Sequence, residues 1–358
     1  MQLDTGFHMD AVKFANWLKD KYCLPKGVVH QQAYIVNYKQ FDNGYLEYIQ
    51  DDEGNKYYAD LFVDCTGFKS YLIKDVMNTG WEQFDDILLN DSAWAVRLPY
   101  TNKREQLKNY TNCTALSSGW VWNVPLRNRM GTGYNYSSKF ISDEDALTEF
   151  KNHLGNPTET LCEYRNIKFK TGLSEKIWNK NVLAIGLSAG FIEPLESNGL
   201  LSVHNFLVWA CEVISSGNKI NTMNINAFNY RAKSFFKVFA YFVAFHYGLS
   251  TRSDSPYWKY ITEEYDWLSK LKNEEIYSLG ESVTPLDKFD LDKWTYYNFG
   301  GTIFIAAGHD YNPFSPVTLK LLHNRGQIDL ESFRTISYPE DTYQIQETFP
   351  IASDYYEN

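Results

Sequence analysis

Two glutamates three residues apart, Glu193 and Glu196, stand in the stretch GFIEPLESNGLLSVHNFL (190–207), directly ahead of an apolar helical pattern. A carboxylate so placed can carry a proton or orient a polar reactant. The amides of Asn198 and Gly199 follow. At the first turn of a helix such amides, with the positive end of the helix dipole, form a ready anion site. Gly199 also permits close approach of a ligand. The same residues would equally serve an ordinary helix start, the acids complementing the dipole and Ser197 or Asn198 acting as N-cap.

Other residue groupings carry weaker chemistry. In Trp120-Val121-Trp122-Asn123-Val124-Pro125 a strand would point Trp120, Trp122 and Val124 to one face and Val121 and Asn123 to the other. Two tryptophans at that spacing suit a sheet face packed on helices, and they also suit a rigid wall between two cavities. Gly131-Thr132-Gly133 lies inside an alternating strand pattern, with Tyr136 where a third glycine would complete a dinucleotide loop. Both glycines are therefore expected to be close-packing positions. His204 and His246 fall on apolar stretches and are expected to be satisfied core residues. Cysteines at 23, 65, 113, 162 and 211 form no CxxC and no metal-ligand spacing, so no metal site is expected.

These candidates need elements to hold them. Asn181 to Gly186 (NVLAIG) has strand length and ends in glycine, and Leu200, Leu201, Val203, His204, Leu207, Cys211 and Ile214 recur at helical spacing until Ser215-Ser216-Gly217. The 190–199 stretch thus reads as a strand-to-helix crossing. Upstream, DAVKFANWLKD (10–20) is an amphipathic helix with Val12, Phe14, Ala15 and Leu18 near one face. AYIVNY and YLEYIQ form a hairpin through Asp42-Asn43-Gly44, and ADLFVDCTGF (59–68) is a buried strand with a small-residue exit. SAWAVRLPY, GWVWNVPL and RMGTGYNYSS alternate as three antiparallel strands. DEDALTEFKNHLG (143–155) is helical, as is most of the chain from 226, where Ser255 and Pro256 mark an N-cap and N1. A further helix is expected over TEEYDWLSKLKNEEIYSL, and the polar end, SYPEDTYQIQETFPIASDYYEN, is expected to wrap the surface.

The expected class is α/β plus α. An incomplete nucleotide-binding α/β domain (1–75 and 166–220) carries an inserted antiparallel sheet (76–165), and a mostly helical lobe follows (221–358). The formal charge of −10 and pI near 5.3 argue against a nucleic-acid partner. No stretch is long and apolar enough to suggest a membrane span, and MQLDTGFHMD lacks the regions of a signal peptide, so a cytoplasmic protein is expected.

IGLSAGFIEPLESNG (185–199) resembles the signature loop of the flavin-dependent tryptophan halogenases, and WVWNVP (120–125) resembles their Trp-x-Trp-x-(Ile/Val)-Pro motif. GFHMDAVKFANWL (6–18), ADLFVDCTGFKSYLI (59–73) and residues 228–260 follow the family's pattern in the family's order. The resemblance runs from about residue 6 to 315.

The resemblance implies an enzyme using reduced FAD (FADH2) delivered by a separate flavin reductase, a halide ion, and an aromatic, indole-like small molecule. It implies Glu196 as the catalytic carboxylate, the amides of Asn198 and Gly199 as the halide site, and Leu187 and Leu200 at the flavin. Trp120, Trp122 and Pro125 would line the tunnel that keeps substrate from flavin. The family has threonine where this chain has Asn198. Its glycine-rich FAD loop and catalytic lysine lie upstream of the segment matching Gly6-Phe7-His8-Met9-Asp10. The chain is therefore expected to act as a truncated or split form with an N-terminal partner fragment encoded upstream, and to be inactive alone. Residues 291–308 match the family's free-tryptophan site only loosely. Two other readings stand beside this one: an inactive relic or aromatic-ligand-binding module, and a flavin monooxygenase that hydroxylates, against which the WVWNVP wall argues.

Overall fold

A computed structural model describes residues 6–157, 163–217 and 219–265, with the single positions 305, 309 and 324. The expected helix from Thr262 onward, beyond residue 265, the 291–308 region and the polar C-terminal stretch lie outside the described residues. Contacts divide the chain into two units, Met1–Asp91 with Ile167–Lys237 and Ser92–Asn166 with Val238–Asn358.

The first unit opens with α1 (Ala11–Trp17), capped by the Asp10 carboxylate accepting from the Lys13 amide. Next come β1 (Ile35–Gln40), β2 (Leu46–Asp51) and β3 (Lys56–Tyr58), an antiparallel meander in the order β1-β2-β3. Its first turn is the expected Asp42-Asn43-Gly44, where Gly44 takes φ +75°. The strand expected over 59–68 is regular only at β4 (Phe62–Asp64), and β5 (Trp81–Gln83) follows.

The chain then enters the second unit with β6 (Ser92–Leu98), a short α2 (Lys103–Gln106), β7 (Asn112–Leu116), β8 (Gly119–Leu126), β9 (Arg129–Tyr136) and α3 (Asp143–His153), and returns to the first unit within β10 (Arg165–Lys168). The sheet order is β10-β6-β9-β8-β7. The three alternating segments are β6, β8 and β9, paired antiparallel as their pattern requires. The sheet's core is Val96, Val121, Tyr134 and Tyr136, packed on Ala146 and Phe150 of α3. Ser142 caps α3 at the Asp145 amide.

Back in the first unit run β11 (Gly172–Ser174), β12 (Trp178–Asn179), β13 (Val182–Ala184), β14 (Gly190–Phe191) and α4 (Asn198–Ser215). They complete two small sheets, β14-β11-β5 and β12-β13-β4. Asn181 ties β13 to the meander, its side chain bonding both the amide and the carbonyl of Leu46 at 2.8 Å. The division between units falls within α5 (Thr222–Gly248); α6 (Pro256–Lys259) follows with Ser255 as N-cap, as expected, and a π-helical turn at Tyr260–Glu264 ends the described elements. Among the described residues no helix is long and apolar enough to cross a membrane.

The structure corrects the face of α4. The sequence pattern favours Leu200, Leu201, Val203, His204, Leu207, Cys211 and Ile214 as the buried side, yet only Val203 of these is even half-buried. The buried side is Asn198, Ser202, Asn205, Phe206, Trp209 and Ala210. The physical reason is size. Phe206 lies 5.5 to 5.9 Å from the rings of Phe228, Phe235 and Phe236, and aromatic side chains bury more area than the leucines opposite. His204 is accordingly exposed and is no core residue. His246 is part-buried, with Nδ1 3.0 Å from the Phe242 carbonyl.

Other apolar surface in this unit is uncovered. α1 buries none of its residues, with Val12, Phe14 and Trp17 all exposed. β4 is an edge of its sheet, and its central Val63 is 46% exposed. Each such side chain gains about 1.5–3 kcal/mol on full burial. An open strand edge also templates pairing. The isolated 358-residue chain is therefore expected to self-associate, which light scattering on the purified chain would detect. A heat-stable, monodisperse monomer would overturn that expectation.

Candidate active site

Strands β4 and β13 run parallel, with Asp64 opposite Ala184, so the turns that leave them emerge side by side. The fully buried Asp64 organises that exit. Its Oδ1 accepts from the Thr66 amide (2.9 Å) and hydroxyl (2.7 Å), and its Oδ2 from the Ile73 amide (2.8 Å). Ser188, also fully buried, donates to Asp64 Oδ1 at 3.2 Å. The small-residue exit read from Thr66-Gly67 is thus a backbone-binding rosette that joins the turns after both strands. Gly67 and Gly186 take φ of +69° and +71°, a left-handed conformation that glycine adopts without strain. In open α/β sheets, ligands bind at such carboxyl ends of parallel strands.

The crossing to α4 is longer than the sequence suggests. After β13 come a tight turn at Gly186–Ser188, the β14 pair with β11, and a second helical turn at Pro194–Glu196. Gly190 packs so closely on β11 and Phe236 that a Cβ would meet Gly172 O at 2.8 Å. Leu187 sits in the first of these turns and Leu200 in the first turn of α4, at 39% and 59% exposure.

The two glutamates have opposite surroundings. Glu193 is fully buried, and its Oε2 accepts from Asn90 Nδ2 at 2.9 Å. Glu196 is exposed at the end of the Pro194–Glu196 turn. Ser197 holds the cap position in left-handed geometry (φ 54°, ψ 32°), and its side chain makes no cap bond. Asn198 begins the helix, with its side chain turned back so that Nδ2 donates to the Glu193 carbonyl at 3.1 Å. Neither residue is the side-chain N-cap that their types suggest. Gly199 is exposed, and a Cβ there would meet nothing within 4 Å. Glu196 and the Asn198 and Gly199 backbone thus lie within four residues at the positive end of an 18-residue helix. That arrangement can hold an anion beside a carboxylate.

In the second unit, Trp120 and Trp122 lie on β8 with ring centroids 5.8 Å apart. Trp120 is 3% exposed and Trp122 half-buried, while the intervening Val121 is fully buried, so this part of the strand is covered on both faces. Trp122 lies directly on Gly133, its cross-strand partner, where a Cβ would collide with the indole. Gly133 is a close-packing position as expected, whereas Gly131 has only an ordinary neighbour, Val124 O at 3.7 Å. Pro125 is buried opposite Met130. Beneath them, burial pushes the Tyr134 phenol far above its usual range, reinforced by the Glu149 carboxylate that accepts from it at 2.9 Å. That tyrosine is a neutral anchor at any physiological pH. Among the described residues no group of His, Cys, Asp or Glu could hold a metal ion.

Asn90 is the site residue that sequence reasoning missed. It lies 103 positions from Glu193, and nothing in its neighbourhood in the chain signals the pairing.

The tryptophan halogenase family model matches residues 1–310. Among curated relatives, tryptophan 7-halogenase RebH of Lentzea aerocolonigenes is 33% identical over 256 residues, 71% of this chain and 48% of the relative. The 7-chloro-L-tryptophan 6-halogenase KtzR of Kutzneria sp. (strain 744) is 31% identical over 258 residues, 72% of this chain and 49% of the relative. The chain thus spans about half the length of the curated relatives it matches. Among solved structures, VirX1 superposes with a TM-score of 0.85 at 34% identity, covering 98% of this chain and 68% of VirX1. Tar14, a tryptophan C-6 flavin-dependent halogenase (chlorinase) from taromycin biosynthesis, gives 0.79 at 26% identity over the same shares.

Proposed function

The chain belongs to the tryptophan halogenase family, and from that premise we propose that it carries the halide- and substrate-side machinery of an FADH2-dependent halogenase of an aromatic, indole-like ring. The observation that supports this most is the Glu193–Gly199 loop, which brings an exposed carboxylate and helix-start amides next to the exit of two parallel strands. The residues present suit the ring end of a flavin. Leu187 and Leu200 offer exposed apolar side chains, and the Asp64 rosette fixes the backbone around them. When bound, reduced flavin supplies, with dioxygen, the oxidising power that turns halide into an electrophilic halogen. Overall, FADH2, O2, halide, the aromatic C–H and one proton become FAD, the carbon–halogen bond and two waters.

The chain's own residues have distinct tasks in this reading. The amides of Asn198 and Gly199 hold the halide, and the α4 dipole favours its charge. The Glu196 carboxylate orients the electrophilic halogen at the ring and accepts the proton that leaves it. Trp120, Trp122 and Pro125 wall the passage and keep the aromatic substrate from the flavin, so ring hydroxylation does not compete. Trp120→Phe is therefore expected to lower halogenated product per FADH2 several-fold while FADH2 consumption continues. Peroxide and product assays in parallel check this, and unchanged coupling would remove Trp120 from the wall.

No GxGxxG occurs in the sequence. We assign the pyrophosphate site and the catalytic lysine to a segment outside these 358 residues, with FADH2 arriving from a separate reductase. The test of the whole reading is mass-spectrometric detection of a halogenated indole when the chain, that segment, a reductase and bromide are combined.

A further inference from the structure

We propose that Asn90 and Glu193 are positioning residues that clamp the halide loop, so that the directions of the Asn198 and Gly199 amides are set from a segment of chain 103 positions away. The inference deepens the proposed function and rests on it. A carboxyl group buried as completely as Glu193 is costly to the fold unless polar partners hold it. A structure gains little by keeping one where a leucine would pack, unless the group fixes something. Here it fixes both ends of a short relay. Asn90, 2% exposed, donates to Glu193 Oε2 at 2.9 Å, and the Glu193 carbonyl accepts from Asn198 Nδ2 at 3.1 Å. Asn90 is itself held in place, because the carbonyl of its neighbour Asp91 accepts from the Phe169 amide at 3.0 Å.

Between the two bonds the backbone is not at rest in its preferred geometry. Ser197 sits at φ 54°, a region disfavoured for any residue with a Cβ, and its own side chain supplies no cap bond to compensate. Locally the Ser197 amide donates to the Pro194 carbonyl at 3.0 Å. Without the relay, Ser197 is free to relax toward ordinary φ, which swings the two amides that follow it. The clamp therefore acts on the anion site through Asn198. Neither Asn90 nor the Glu193 side chain needs to touch substrate or halide.

Asn90→Ala removes the donor, and Asn198→Asp turns the second donor into an acceptor facing the Glu193 carbonyl. Glu193→Gln keeps an oxygen for Asn90 and serves as the conservative variant. Amide hydrogen exchange on the purified chain should show Ser197–Leu200 exchanging at least about tenfold faster in the first two, the size expected on losing one buried hydrogen bond. β8 and β9 should stay unchanged, and Glu193→Gln should stay near the parent. In the completed enzyme, Asn90→Ala should raise the KM for halide about tenfold or more and leave that for the aromatic substrate as it was. If Asn90→Ala destabilises the whole unit, Asn198→Asp still isolates the second link. Exchange that is unchanged, or faster uniformly across the first unit in both variants, overturns the clamp. Loss of halogenation in the parent enzyme would overturn the functional reading instead, and the exchange pattern would still decide the clamp.

Discussion

Glu196→Gln is expected to lower halogenating turnover by about 100-fold or more, the usual cost of losing a positioned proton-transfer carboxylate, with flavin binding unchanged. The substitution keeps the side chain's shape and removes its charge and its capacity to take a proton. Its site makes the comparison clean. Glu196 is exposed at the end of the Pro194–Glu196 turn, and substitutions at such positions alter stability by no more than about 0.5 kcal/mol. A loss of activity with an unchanged melting temperature and flavin spectrum therefore reports chemistry. Glu193, three residues earlier, is the internal control. It is buried and paired with Asn90, so its removal acts through loop geometry and the halide KM, whereas Glu196 acts on turnover. Product per FADH2, by mass spectrometry across halide concentrations, separates the two. Full activity in Glu196→Gln would leave the loop without its assigned catalytic group.

The contrast between those two glutamates marks where sequence reasoning stops. Their spacing and the helix start behind them are visible in the chain, because glycine, proline and the apolar periodicity announce a turn and a helix. That Glu193 is the buried one and meets Asn90 is not visible there, because no local pattern connects positions 90 and 193. The antiparallel strands β6, β8 and β9 are legible because their segments carry β-branched and aromatic residues bounded by turn residues. β7 is not, since Asn112-Cys113-Thr114-Ala115-Leu116 is short and holds a single β-branched residue; it lies at the end of the sheet, paired with β8. α4 fails for a different reason. It is apolar on two sides, and periodicity counts residues where packing weighs area, so the leucine side was favoured and the Phe206–Trp209 side won. The leucine side is also the informative one. Its Leu201, Leu207 and Ile214 are exposed, and exposed apolar patches are the kind of surface that associates.

That surface bears on the largest effect expected of this protein. The 358-residue chain on its own should bind FAD weakly and form no halogenated indole with reductase and bromide. Adding the segment encoded immediately upstream, if it carries a glycine-rich strand-turn-helix and a lysine, should give a yellow complex that halogenates. The pyrophosphate of a dinucleotide is normally held by amides of the first such turn. Losing two charge-assisted hydrogen bonds there, about 3 kcal/mol or more together, weakens binding at least about 100-fold. The first unit offers places for the added segment. A parallel strand can pair with the open edge of β4, and a helix can cover Leu207 and Ile214 of α4. The same contacts would suppress self-association, so one light-scattering measurement should change together with the FAD titration. Halogenation by the chain alone would place the missing lysine and phosphate site within it. A complex that forms, binds FAD and still makes no product would leave a flavin-binding relic as the better description.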